Sequence, residues 1–135
     1  MKRALILVLA VLMILSVAGC AKPKEETPVY DTQYVLYVGT NDKDTVEPVY
    51  EPEVCKEKAI EILLKYFGGY TIQEASGGWK DGDKIFTEYT LVIYLSDTTL
   101  DKIHVACDEM LQVFHQSSIL IQANQTVTEF YAGNE

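Results

Sequence analysis

Arginine is almost missing from this chain of 135 residues. The only one is Arg3, and 11 basic residues stand against 20 acidic ones, a formal net charge of −9. Nucleic-acid and phosphate recognition draw on basic patches and on the bidentate arginine fork, so nucleic acid is excluded as a partner. The same charge repels the chain from anionic lipid and keeps it soluble. Histidine occurs twice and cysteine three times, and no Gly-x-Ser-x-Gly elbow is present, so no hydrolase nucleophile is assembled in the usual way. No internal repeat and no low-complexity tract breaks the chain. No apolar run reaches the length of a membrane span either.

The longest apolar run is nevertheless informative. It follows Lys2 and Arg3 and extends about 15 residues through Ala18, short of the roughly 20 that a spanning helix needs. A basic start, a short apolar core and small residues at its end mark a secretory signal peptide. Val17-Ala18-Gly19-Cys20 resembles the lipobox of bacterial lipoproteins, in which a diacylglycerol is attached to the cysteine sulfur and a peptidase cleaves before that cysteine. The resemblance implies a signal peptide over residues 1–19, a lipidated Cys20 as first mature residue, and the lipid bilayer as a partner. The protein is then exported and lipid-anchored at the cell membrane, with its domain on the extracytoplasmic side. Removal of residues 1–19 leaves nine lysines against twenty acidic residues, a balance of −11. Residues 20–33 carry Pro23, Pro28 and clustered charges and have no apolar face to bury. They read as a flexible tether reaching roughly 35 to 40 Å when extended.

Residues 34–135 are enough for a single domain with one modest core. Gln33 to Asn41 is rich in β-branched and aromatic residues and reads as a strand. Pro48 and Pro52 break the loop after it. Val54, Ala59, Ile62, Leu63, Tyr66 and Phe67 then recur at helical spacing, and Gly68-Gly69 supplies a positive-φ stop. Two strands follow, 70–79 and 84–95, around the hairpin signal Asp81-Gly82. A second helix opens at Thr98, which can cap it, with Asp101 near its positive end. Leu100, Ile103, Cys107, Met110 and Phe114 form its apolar stripe. Residues 117–131 make one long strand, or two with a turn near Ala123-Asn124. The order βαββαβ predicts an α+β, ferredoxin-like domain: a four-stranded antiparallel sheet with two helices on one face.

That order also predicts which side chains face away from the helices. Tyr89, Leu91, Ile93 and Leu95 form the apolar face of the third strand, with Leu36 and Val38 beside them. The opposite, open face then collects Val35, Tyr37, Glu88, Thr90, Val92 and Tyr94. An exposed face bearing valines and tyrosines is a contact surface.

"LYVGTNDKDT", "GYTIQEASGGW", Glu88 after the hairpin and "FHQSSILI" together resemble a family of short bacterial and phage proteins catalogued as a domain of unknown function. The resemblance implies one compact α+β domain and brings no activity with it. His115 departs from the pattern, which has asparagine there more often.

Candidate chemistry is sparse. Asp42, Asp44 and Glu53 have the span of an EF-hand loop, but Val46 stands at a ligand position and Glu47 where glycine is needed, so the stretch reads as a loop or cap. Asp101, His104 and Asp108 share a helix face and read as solvated. Cys107, with His104 one turn before it, reads as a core cysteine. Cys55 and Cys107 are both exported, so a bridge is permitted, although the helix geometry offsets them by several ångströms. No catalytic set, metal site or cofactor is predicted. The function expected is a membrane-anchored, non-enzymatic interaction domain acting through the open face on a second copy or an envelope protein. The alternative is a dimeric α+β barrel enclosing a small apolar ligand, with an enzymatic variant using His104 or Glu88.

Overall fold

Tyr34, Leu36 and Val38 alternate with Val35 and Tyr37, and this period-two pattern makes the first strand of a sheet with two different faces. The computed structural model describes residues 30–133. The expected signal peptide, Cys20 and the expected tether through residue 29 lie outside the described residues. The elements run β1 (Asp31–Gly39), α1 (Pro52–Tyr66), β2 (Thr71–Asp81), β3 (Lys84–Leu95), α2 (Leu100–Val113) and β4 (Leu120–Thr126). The four strands form one antiparallel sheet in the order β2-β3-β1-β4. Both helices pack on one face, which is the ferredoxin-like βαββαβ arrangement predicted from the element order.

The core joins Leu36, Val38, Leu91, Ile93 and Leu95 of the central strands to Ala59, Ile62 and Leu63 of α1 and to Ile103, Cys107, Met110 and Phe114 at α2. Each buried Val, Leu, Ile, Met or Phe among them contributes about 1.5 to 3 kcal/mol on burial. The fully buried cluster lies entirely between Tyr34 and Phe114. A fragment beginning at Asp31 therefore holds the whole of this core and is expected to fold without the residues before it.

Local expectations shift in instructive places. β1 starts at Asp31, so Asp31, Thr32 and Gln33 belong to the sheet, paired with Thr126, Gln125 and Asn124, and not to the tether. The hairpin turn is Gly82-Asp83, one residue later than the Asp-Gly signal indicated, because Asp81 still pairs with Lys84. Gly82 takes φ +57° there, a conformation that glycine adopts without steric cost. The expected stop at Gly68-Gly69 does not use positive φ. α1 ends instead where Phe67 turns to φ −126°, ψ 143°, its N–H still donating to the Leu63 carbonyl, and its ring enters the core at 8% exposure. Burial of that ring draws the chain off the helix axis.

Thr99, not Thr98, caps α2, its side chain accepting from the Lys102 N–H. Leu100 is 42% exposed and Ala106 takes its place in the buried stripe. β4 is a single strand that passes through Ala123 and Asn124 without a turn, and among the described residues none beyond Thr126 is in a strand.

Candidate functional site

The open face is built in rows that cross the sheet. One row carries Leu120, Tyr37, Val92 and Gln73 on β4, β1, β3 and β2; the next carries Gln122, Val35, Tyr94 and Thr71. Two hydrogen bonds tie these rows together. Tyr37 Oη donates to Gln122 Oε1 at 3.1 Å, and Tyr94 Oη donates to Gln73 Oε1 at 3.0 Å. The sequence places Val35, Tyr37, Thr90, Val92 and Tyr94 on one face, and the register does bring them together. It also corrects their exposure. Val35 is only 4% exposed and Val92 only 8%, because larger neighbours in both rows shut them off from water. Thr90, in the next row between Gly39 and Ala75, is also only 8% exposed. The valines support the face from within, and the half-buried tyrosines form its surface.

The large apolar side chains that stay exposed on this face lie at its two ends, and sequence reasoning missed them. Leu120 is 58% exposed and Trp79 49%. Trp79 pairs with Phe86 across the hairpin, and the two rings stack with centroids 4.3 Å apart and planes 17° apart. Strand alternation could have assigned all three to the open face. That they remain uncovered depends on which strands end first, which no local pattern contains.

Glu88 has a specific seat. Its Oε2 accepts from the backbone N–H groups of Thr40 at 3.1 Å and Asn41 at 3.2 Å. The carboxylate lies over Gly39, where a Cβ would come within 2.5 Å of both of its oxygens. Glycine at 39 therefore makes room for the acid on the neighbouring strand. An open cleft of about 490 Å³ adjoins it, lined by Asn41, Val46, Pro48, Ala75, Ser76 and Thr87 among others. A second open cleft of about 530 Å³ lies at the other end of the sheet, between Tyr66, Tyr70, Tyr94, Lys102 and Phe130.

The loop between β1 and α1 is fastened by side chains distant in sequence. Asp42 Oδ1 accepts from the N–H groups of Asp44 and Thr45 at 2.7 and 3.0 Å, the loop-capping role expected for it. His115, just after α2, pairs with the Asp42 carboxylate, and its carbonyl accepts from the Lys43 N–H at 3.0 Å. Gln116 donates to the Asn41 carbonyl. Asp42, Asp44 and His115 thus bring potential ligand atoms within 4.8 Å of one another, a grouping that does not include Glu53. The loop-or-cap reading of Asp42 and Asp44 did not include His115, which comes from the far end of α2.

The His115 side chain, helped by the Thr45 and Asp44 N–H groups, holds the Asp42 carboxyl down at about 2 from an ordinary 3.8. A carboxyl depressed by folding stabilises the fold above its unfolded pKa, and that contribution fades as pH falls through its folded value. Asp42→Asn is expected to be less stable than the parent at neutral pH. It should also lose less stability between about pH 4 and about pH 2. Urea unfolding across that interval measures both, and parallel curves for the two proteins would refute the assignment.

Asp101, His104 and Asp108 are all exposed on α2. Cys55 and Cys107 are buried, unbridged thiols. Burial, with the Asp108 charge adding to it, pushes the Cys107 thiol up to about 11, and burial also raises that of Cys55. Burial thus favours the neutral thiol at both positions.

Sheet order, strand direction and helix placement together define a protein of the ferredoxin-like α+β class. No protein-family model matches the chain, and no curated protein matches it. Among solved structures, it is similar to a phage SAM lyase in complex with S-methyl-5'-thioadenosine, with a TM-score of 0.55 and 17% identity over 82% of this chain and 99% of that one. CutA from Synechococcus elongatus is similar with a TM-score of 0.44 and 10% identity over 75% of this chain and 81% of that one. A DUF3240 family protein from Shewanella baltica follows with 0.40 and 8% over 77% and 96%. At these identities the likeness is one of fold.

Proposed function

We propose that this protein is a lipid-anchored, extracytoplasmic domain whose open sheet face binds a second copy of the chain. One observation carries the reading. Among the described residues, the strands from the row of Thr90 to the row of Gln33 and Asn124 place no charged residue on the open face, in a chain with 20 acidic ones. Glu88 borders that area with its carboxylate turned onto the backbone. Two copies of so acidic a chain repel one another wherever their charges meet, and this face lets them approach without that cost. Attachment of both copies to one membrane through Cys20 raises their effective concentration further.

The test is the solution mass of the 31–135 fragment by light scattering over a range of concentrations. Association is expected, and Tyr37→Glu or Tyr94→Glu should weaken it about tenfold or more by placing an unpaired carboxylate in the contact. Circular dichroism should show both variants still folded. A parent fragment that stays monomeric throughout would overturn the proposal.

A second reading rests on the seat of Glu88. An acid fixed by two backbone N–H groups beside an open cleft is a place where a small molecule with a hydroxyl, amine or cationic centre can be held. The similarly folded phage SAM lyase holds S-methyl-5'-thioadenosine, so that nucleoside is the probe to use. Calorimetric binding to the parent fragment that disappears in Glu88→Gln would favour a ligand-binding role. No heat with the parent would remove this reading.

A further inference from the structure

We infer that the β2–β3 hairpin of one copy is an arm that docks on the β4 end of its neighbour's open face, stacked Trp79 and Phe86 packing against Leu120 and Tyr37. The inference rests on self-association through the open face and specifies how that association is made.

β1 accompanies β3 only as far as the pair Gly39 and Thr90, whereas β2 stays paired with β3 to Asp81 and Lys84. Past Glu88 the hairpin is therefore a ribbon of two strands with no third strand beside it among the described residues. Such a ribbon is marginal in water by itself. This one also carries an unusual apolar load at its tip: Trp79 on the open-face side at 49% exposure, and Ile85 on the other side at 76%. The two rings bury their facing surfaces against each other, and Trp79 still stays half exposed. An apolar ribbon that projects from its own core gains by lying on another surface.

The receiving surface is at the opposite corner. Leu120 is 58% exposed beside Tyr37, and among the described residues β4 is an edge strand with its outer backbone groups unpaired in the sheet. Edge strands are ordinarily guarded by charge or proline. Residues 116–128 contain neither. The arm tip and this corner are separated by six residues along β3, about 20 Å, and by three strand spacings, about 14 Å. One copy cannot fold its arm onto its own β4 corner across that distance.

Charge admits a second copy as the occupant, despite the acidity of the rest of the chain. Lys80 and Lys84 balance Asp81 and Asp83 within the arm, and the β4 stretch is uncharged. These are surfaces on which two strongly acidic chains meet without like-charge repulsion. The contact is the same whether two copies exchange arms about a two-fold axis or several pass them head to tail in a closed ring.

Trp79 is the only tryptophan in the sequence, so its fluorescence reports on the arm alone. The 31–135 fragment should be titrated over the same concentrations used for light scattering, with emission wavelength and acrylamide quenching read at each. The expected result is a blue shift and a several-fold fall in quenching over the interval where the mass rises. Leu120→Lys, a change at an exposed position, should move both transitions to concentrations about tenfold higher or more, with the circular dichroism unchanged. A mass that rises while Trp79 emission and quenching stay constant would overturn the arm and leave the open-face reading in place. A mass that never rises would overturn both.

Discussion

Cys20→Ala is expected to leave the protein without any acyl chain, the largest change any single substitution here produces. The proposed lipobox needs the cysteine sulfur as the site of diacylglycerol attachment, and no other residue of Val17-Ala18-Gly19-Cys20 offers a nucleophile. Each buried methylene of an acyl chain contributes about 0.8 kcal/mol to membrane binding, and stable anchoring takes more than one chain. Loss of all of them removes tens of methylene contributions together. Intact-protein mass spectrometry checks the point: the parent should carry the mass of its acyl groups and begin at Cys20, and the variant should carry neither mark. A variant that still bore acyl chains would show the lipobox assignment to be wrong. The same experiment bears on assembly, because anchored copies are concentrated on a surface while unanchored ones are diluted in three dimensions.

Phe114→Ala should be the most destabilising change within the domain. Phe114 is fully buried and is the largest of the fully buried side chains. Removal of a buried phenylalanine costs about 3 to 5 kcal/mol, from lost transfer energy and the cavity left behind. A domain of this size has a total stability of roughly 5 to 15 kcal/mol, and each kcal/mol corresponds to several degrees of melting temperature. A fall of about 15 °C or more is expected by thermal circular dichroism of the 31–135 fragment. Leu64→Ala, at a position 62% exposed, is the control and should stay within about 0.5 kcal/mol of the parent. Phe114 also precedes His115, which stands at φ +51° and fastens the β1–α1 loop through Asp42 and Lys43. Its loss should therefore loosen that loop first, visible as faster amide exchange at Asp44 and Thr45. A variant as stable as the control would mean that the α2 end is not held by this ring.

What the sequence determined by itself is what lies within a few residues along the chain. Period-two alternation located β1 and β3, with β3 matched at both ends. Helical spacing located α1 and α2, and the order of elements then implied the antiparallel sheet and the side on which the helices pack. The proposed lipobox draws on the same local kind of signal, four adjacent residues after an apolar run, and awaits the Cys20→Ala test.

Tertiary structure alone decided what depends on partners distant in sequence. Glu88 is clasped by Thr40 and Asn41 because Gly39, on the neighbouring strand, leaves the space. His115 reaches Asp42 across 73 positions, because α2 ends beside the first loop. Val35 and Val92 were legible as open-face residues, yet their burial comes from tyrosines and glutamines on flanking strands. Leu120 and Trp79 are exposed for the converse reason: one stands on an edge strand, and the other on a ribbon that outruns β1. Local propensity sets which way a side chain points, whereas its exposure is set by where other strands stop.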